Sequence, residues 1–289
     1  MKIAIFGSKH QKKEQVEMLF NILKDNKVEI LIQEKFCNYL KECFHLQYDT
    51  AAIIRNDEFD ADLVVTIGGD GTFLRAASVI GKKNIPILGI NAGRLGFLAD
   101  VGEEDLEDTF EDVFSGNYRV EHRSRLQLST ENKIYHGFNY ALNEIAVMKQ
   151  DTASMITVHA HINDEYLTSY EADGIIIATP TGSTAYSLSV GGPIIAPASQ
   201  SFVISAIAPH TLGNRPLVIT DDSIITLDVE SRNNNFLISL DGRSNVFRTG
   251  SKLTIRKADF TLQVVKRKEN TFYNTLRNKL KWGLDPRQS

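Results

Sequence analysis

The chain reads as an α/β Rossmann-like N-terminal domain followed by an all-β sandwich C-terminal domain, with a closing C-terminal helix. Three observations predict this. Through residues 1–117, β-branched runs alternate with apolar residues at helical spacing. From Tyr118 onward, strand-like runs are separated by Gly, Asn and Asp. In the tail the apolar period becomes helical again.

Lys2 to Phe6 is a short apolar run ending at Gly7, a strand signal. From Gln11 to Asn26, apolar residues fall at Val16, Leu19, Phe20 and Leu23, which places them on one helical face. Val28 to Ile32 reads as a strand, and Asp62 to Ile67 is a β-branched run that stops at two glycines. Phe73 to Ile80 is helix-like, and Ile85 to Ile90 is a buried strand. Glu103 to Phe114 is amphipathic, with Leu106, Phe110, Val113 and Phe114 on one side. Strands alternating with helices imply parallel strands joined by crossovers.

The second region carries strand runs at Ile156–Ile162, Gly174–Ala178, Ile224–Val229, Phe236–Leu240, Leu253–Ile255 and Thr261–Val265. Asn132, Asn163-Asp164, Asn233-Asn234 and Asp241-Gly242 read as turns. This is a sandwich pattern, interrupted by one helix near Thr181 to Leu188. Phe272, Tyr273, Leu276 and Leu280 predict a closing helix. The expected layout is an α/β domain over 1–117, joined by the helix 270–284, and a β domain over 118–269. The two are expected to abut across a cleft, a common place for a ligand.

The totals exclude several functions. A net charge of −4 offers no global basic field for nucleic acid. The basic tail, with Lys266, Arg267, Lys268, Arg277, Lys279 and Lys281, reads as a solvated face. Cys37 and Cys43 form neither a metal spacing nor a disulfide framework. The N-terminus is too soon polar for a signal peptide. The longest apolar stretches, such as Phe202 to Ala208, are far short of the ~20 residues that cross a bilayer. A soluble, cytoplasmic protein with no membrane or nucleic-acid partner is expected.

The chemistry gathers first at Val65 to Thr72. A buried strand delivers Gly68-Gly69-Asp70-Gly71, and a helix follows. Ligands bind at the carboxyl ends of strands in open α/β sheets. Glycines let the backbone approach a phosphate, and the N–H groups of a helix start point at an anion. Gly68, Gly69, Gly71 and Thr72 are therefore the candidate phosphate loop. An acid inside such a loop does not attract phosphate; Asp70 must hold a cation, take a proton, or simply cap the helix. Arg75, about one helical turn on, can clamp a phosphate.

Gly-Gly-Asp-Gly loops resemble those of NAD kinases, of diacylglycerol and sphingosine kinases and, more distantly, of 6-phosphofructokinases. Further segments choose among them. Gly89-Ile90-Asn91-Ala92-Gly93-Arg94-Leu95-Gly96-Phe97-Leu98 resembles the second glycine-rich loop of NAD kinases. Ala141 to Ile145 resembles their Asn-Glu motif. Asp173-Gly174 followed by Thr179 to Pro193 resembles their longest signature. Pro209 to Leu212 and Arg215 to Val218 follow in family order. The chain is thereby identified as similar to bacterial-type NAD kinases over essentially its whole length.

That resemblance implies transfer of the γ-phosphoryl of ATP to the adenosine ribose 2′-hydroxyl of NAD, giving NADP, with Asp70 as general base. A carboxylate, with a reference pKa near 3.9, is a weak base towards an alcohol. The proton must therefore leave late, in a loose transition state. Mg²⁺ or another divalent cation would arrive with ATP, and no dedicated metal cage is read from the sequence. Asn143 can donate and accept at a base or ribose edge, and Glu144 can accept from vicinal hydroxyls. Because strand neighbours alternate faces, the pair is expected at a strand end. Thr181 to Ser189 is expected to start a capped helix whose N–H groups face a ligand. The resemblance implies that Asp70, Gly71, Arg75, Phe97, Asn143, Glu144, Asp173, Thr184, Ala185, Tyr186, Ser187, Leu188, Ser189, Ala208 and His210 contact the dinucleotide. Ser154 and Arg243 occupy variable pocket positions, and Glu171 stands where some relatives carry a basic residue. His136, His159 and His161 read as structural. The resemblance also implies a homodimer or homotetramer. Two rival functions are a lipid kinase of the same superfamily and a non-catalytic dinucleotide sensor. The first leaves Asn143-Glu144 unexplained, and the second leaves Asp70 without a role.

Overall fold

A computed structural model describes residues 1–283 apart from 10, 94, 95, 132–134, 152 and 153. Arg94 and Leu95 of the second glycine-rich segment, the turn expected at Asn132, and position 284 of the closing helix lie outside the described residues. The chain divides into two compact units, Met1–His122 with Leu262–Ser289, and Arg123–Thr261.

Unit 1 is the α/β layer. Its elements are β1 (Lys2–Gly7), α1 (Lys13–Asp25), β2 (Glu29–Gln33), α2 (Glu34–Cys43), β3 (Ala52–Ile54), β4 (Leu63–Ile67), α3 (Asp70–Ile80), β5 (Ile87–Ile90), α4 (Leu106–Ser115) and β6 (Tyr118–Arg123). The chain then builds unit 2 and returns. Unit 2 begins with β7 (Leu126–Thr130), β8 (Tyr140–Ala141), β9 (Glu144–Lys149), β10 (Ile156–Ile162), β11 (Glu165–Ala172) and β12 (Gly174–Ala178). A 3₁₀ turn at Gly182–Thr184 and the single-turn α5 (Tyr186–Ser189) follow. Then come β13 (Ser201–Ile207), β14 (Leu217–Thr220), β15 (Ile225–Glu230), β16 (Asn235–Leu240), β17 (Arg243–Arg248) and β18 (Leu253–Lys257). Finally β19 (Leu262–Arg267) and α6 (Phe272–Leu280) complete unit 1.

The unit 1 sheet has the order β3-β2-β1-β4-β5-β19-β6. β1 pairs in parallel with β2 on one side and β4 on the other, Ala4 facing Leu31 and Val64. The strand order therefore reverses between β1 and β4, which opens a crevice at their carboxyl ends. β4 is buried at every position, as a parallel strand covered on both faces must be. The helical stripe of α1 packs Val16, Leu19, Phe20 and Leu23 into the same core as Ile3, Ile5, Val65 and Phe110. Each such side chain contributes about 1.5–3 kcal/mol by burial. The two strands at the margins of the expected sandwich region, β6 and β19, instead lie in this sheet, where β19 pairs in parallel with β5. Local period marks it as a strand but not as a member of either sheet.

Unit 2 is a sandwich of two six-stranded sheets, β11-β10-β15-β18-β7-β8 and β14-β13-β12-β9-β16-β17. Ile225, Leu227 and Val229 alternate with exposed Asp228 and Glu230, so β15 shows one face to the core. Val147, Ile175, Ile177, Ile204 and Ile238 meet that face from the second sheet. β12 is buried at every position, because Val190 and Ile195 help cover Ile176 and Ala178 on its other face.

Candidate functional site

In unit 1 the site grows from the end of β4. Gly68 has φ of 153°, and a Cβ there would stand 2.5 Å from Thr72 Oγ1, so only glycine fits. A Cβ on Gly69 would meet nothing within 4 Å, which leaves this turn facing open space. α3 begins at Asp70 with Gly69 as its N-cap, so Asp70 does not cap the helix.

The Asp70 carboxylate instead reaches the second glycine-rich segment. Its Oδ2 accepts from Phe97 N at 3.1 Å; its Oδ1 accepts from Leu98 N at 3.1 Å and Ala99 N at 3.0 Å. A carboxylate offers about four lone-pair sites. Three consecutive backbone donors occupy three of them, and one site on Oδ2 stays available to a further donor. Lys279 Nζ from α6 lies 3.6 Å from that same Oδ2. Phe97, half-buried, packs its ring 6.3 Å from Phe272. Arg75 Nη2 donates to Thr72 Oγ1 at 3.0 Å, which sets the guanidinium beside the first glycine-rich turn.

The loop that holds Asp70 is itself held from below. Lys266 Nζ on β19 pairs with Asp100 Oδ1 at 2.8 Å and donates to Leu98 O at 3.3 Å. Their side chains are only 4% and 5% exposed. Arg267 bridges Asp105, Asp108 and Asp112. The start of the basic tail, expected as a solvated face, is thus two largely buried cations held in ion pairs.

In unit 2 the corresponding feature is a corner at Asn143-Glu144. Asn143 precedes β9 and Glu144 opens it, so the pair does sit at a strand end. Asp241, in left-handed backbone with φ of 49°, accepts from Leu142 N at 2.7 Å, Asn143 N at 2.8 Å and Glu144 N at 3.1 Å. Thr179 N donates to Asn143 O at 2.9 Å and Thr179 Oγ1 to Leu142 O at 2.6 Å. Gly182 passes so close that a Cβ would stand 2.0 Å from Asn143 O.

Asn143 Oδ1 and Glu144 Oε2 are both buried with no hydrogen-bond partner. An orphaned buried acceptor costs about 1–3 kcal/mol, so both atoms are open to donors that the chain itself does not supply. Burial, then the charge of Asp241, pushes the Glu144 carboxyl up to about 8, against a backbone hydrogen bond from Tyr186. Burial also raises Asp241, opposed by its three N–H donors and by Arg243. Arg125, stacked at 5.2 Å from the Phe260 ring centroid, is lowered to about 10 by burial.

The Thr181–Ser189 segment is a 3₁₀ turn and a single α turn rather than one capped helix. Ala185, at φ −105° and ψ −127°, separates them, and neither turn has a side-chain cap. The Ala185 ψ of −127° lies outside the helical region, so the two turns do not run on as one helix. Tyr186 and Ser189 are exposed, Thr184, Ala185 and Leu188 half-buried, and Ser187 faces inward towards Ser205.

The remaining expected contacts lie on other parts of unit 2. Asp173 Oδ1 pairs with Lys149 Nζ at 2.6 Å. Ser154 lines a cavity of about 600 Å³ with Lys149, Thr157, Glu171 and Glu230. His210 N donates to Glu171 O at 2.9 Å, and Ala208 is in left-handed backbone at φ 43°. The Arg243 guanidinium donates to Phe138 O and Tyr140 O, both at 2.5 Å. His159 is engaged by Ser169 and Glu230. Among the described residues no group of three or more His, Cys, Asp or Glu could hold a metal ion, and no helix is long and apolar enough to cross a membrane.

Sequence reasoning missed Asp241, Lys266 and Lys279. Asp241 read as an ordinary turn acid beside Gly242, and the two lysines as part of a basic tail. No local pattern distinguishes them, because their partners lie tens to hundreds of positions away.

Comparison with known proteins agrees on one family. Residues 3–118 match the model of the ATP-NAD kinase N-terminal domain, and 142–267 that of the C-terminal domain. An NAD kinase of Bacteroides fragilis is 52% identical over 289 residues, covering 99% of this chain and all of the relative. One from Cytophaga hutchinsonii is 44% identical, covering 94% of each. The fold matches that of yeast NADH kinase complexed with NADH, with a TM-score of 0.89 at 23% identity, covering 100% of this chain and 89% of that one. It also matches an NAD kinase from Archaeoglobus fulgidus in complex with ATP, with a TM-score of 0.78 at 28% identity, covering 97% and 99%.

Proposed function

The chain belongs to the NAD kinase family and acts as such an enzyme, and from that premise we propose how its residues divide the work. Asp70 orients the adenosine ribose 2′-hydroxyl of NAD and takes its proton. The observation that carries this is the single acceptor site left on Asp70 Oδ2 once three backbone donors have fixed the carboxylate. The hydroxyl oxygen forms a bond to the γ-phosphorus of ATP, the bond from that phosphorus to the bridging β,γ-oxygen breaks, and ADP leaves. The proton passes to Asp70 late in the step, so positioning and charge neutralisation contribute more than basicity.

Gly68, Gly69, Gly71 and Thr72 border the donor phosphates, with Arg75 beside them. Phe97 forms part of the dinucleotide wall. In unit 2, the orphaned acceptors of Asn143 and Glu144 receive ribose and base donors. Tyr186 offers its ring to adenine, and Asp173 accepts from a polar group of the dinucleotide. Thr184, Ala185, Ser187, Leu188, Ser189, Ser154, Ala208, His210 and Arg243 complete the proposed binding set. Mg²⁺ is a companion of ATP, consistent with a metal that keeps its ligands among phosphates and water. The enzyme is proposed to be a cytoplasmic homo-oligomer, which light scattering tests.

The function is tested by incubating the protein with ATP, Mg²⁺ and either NAD, 2′-deoxyadenosine NAD or diacylglycerol. NADP from NAD alone is expected. Phosphorylation of the 2′-deoxy analogue or of diacylglycerol would overturn the assignment of the acceptor.

A further inference from the structure

The C-terminal helix α6 delivers a charged group to the centre of unit 1. Lys279 Nζ lies 3.6 Å from Asp70 Oδ2 and 4.6 Å from the centroid of the Phe97 ring. The two charged side chains are about equally exposed, 32% and 31%, so neither is sealed from a ligand. The ammonium is positioned from two sides, by the carboxylate and by the π face of a ring whose backbone N–H holds the same carboxylate. Phe97 packs on Phe272, in the first turn of α6. Both ends of the helix therefore register on the residue that fixes Asp70.

This arrangement answers a problem that the proposed function creates. A carboxylate at the mouth of a phosphate-binding turn repels a polyanionic nucleotide. The three N–H donors on Asp70 carry only partial charge. Lys279 brings a full positive charge to 3.6 Å from the Asp70 carboxylate. We propose that Lys279 is a positioning residue for phosphoryl transfer. Its ammonium offsets the Asp70 charge and restrains Oδ2, so that the hydroxyl can donate to that oxygen while the γ-phosphate comes within reach of the hydroxyl. This rests on the reading of Asp70 given above.

The experiment is a double-mutant cycle of Asp70→Asn and Lys279→Met, with Lys279→Arg as the conservative variant, read by kcat and KM for NAD and ATP. K279M is expected to lower kcat by about 10–100-fold while KM for NAD stays within about threefold, with K279R recovering most of the loss. Because Lys279 acts through Asp70, D70N/K279M should be no slower than D70N. A K279M enzyme with kcat within twofold of the parent overturns the proposal, as does a full additional loss in the double variant. A melting point lowered equally in K279M and K279R, with kcat following it, marks Lys279 as a mere prop for α6 and also overturns it. If D70N itself is fully active, the reading of Asp70 has failed instead, which the cycle shows separately.

Discussion

Gly96 passes so close to Asp70 that a Cβ carbon would stand 2.0 Å from Asp70 Oδ1 and 2.9 Å from Ala99 O. No rotamer change relieves this, because Oδ1 is already committed to two N–H groups. Gly96→Ala should therefore displace the carboxylate while the fold survives. We expect kcat to fall by about 10²-fold, the range seen when a reacting group is misplaced by an ångström. Steady-state kinetics beside a far-UV circular dichroism spectrum checks this.

Asp241 holds the N–H groups of Leu142, Asn143 and Glu144 as Asp70 holds those of Phe97 to Ala99. Asp241→Ala leaves three N–H groups without their acceptor. A loss of about 3 kcal/mol or more in urea unfolding is expected, with at least tenfold weaker NAD binding by calorimetry. Asp241→Asn should fall between, since an amide offers one acceptor oxygen where the carboxylate offers two.

Glu144 makes stability depend on pH. Its folded-state value is raised to about 8, above the ordinary 4.5. The stabilisation linked to its protonated form is fully present below about pH 4.5 and is lost as pH rises through 8. Glu144→Gln should thus melt progressively higher than the parent between those limits, by an amount on the order of a few kcal/mol at pH 9. Hydroxyl donors on the carboxylate favour its charged form, so NAD binding should release protons near pH 7. Calorimetry in buffers of different ionisation enthalpy measures that release.

The buried Lys266–Asp100 pair supports the loop that holds Asp70. Lys266→Met strands a buried carboxylate and should cost about 3–5 kcal/mol. Adding Asp100→Leu should recover much of the stability by removing that stranded charge. The recovered protein should still turn over more slowly, because Leu98 O has lost its donor. Urea melts and kcat on the single and double variants separate the two effects.

The α/β layer was legible because β4 and α1 announce themselves by local period, and the glycines after β4 by their identity. The position of Asn143-Glu144 at a strand end followed from strand geometry alone. β19 was legible as a strand but not by sheet, since parallel pairing with β5 spans most of the chain. Lys266 has the local signature of a solvent-facing charge, and its partner Asp100 lies too far away in sequence to show otherwise. The break at Ala185 was hidden because the small and hydroxyl residues of Thr181 to Ser189 suit a capped helix as well as two short turns.

The central claim is that the free acceptor site of Asp70 handles the ribose hydroxyl. It is tested most directly by the single-turnover rate of NADP formation in Asp70→Asn, with NAD affinity measured on the same protein. The account predicts a rate about 10²–10⁴-fold below the parent, with the dissociation constant for NAD within about threefold. A rate within a few-fold of the parent, with NAD bound normally, would contradict it.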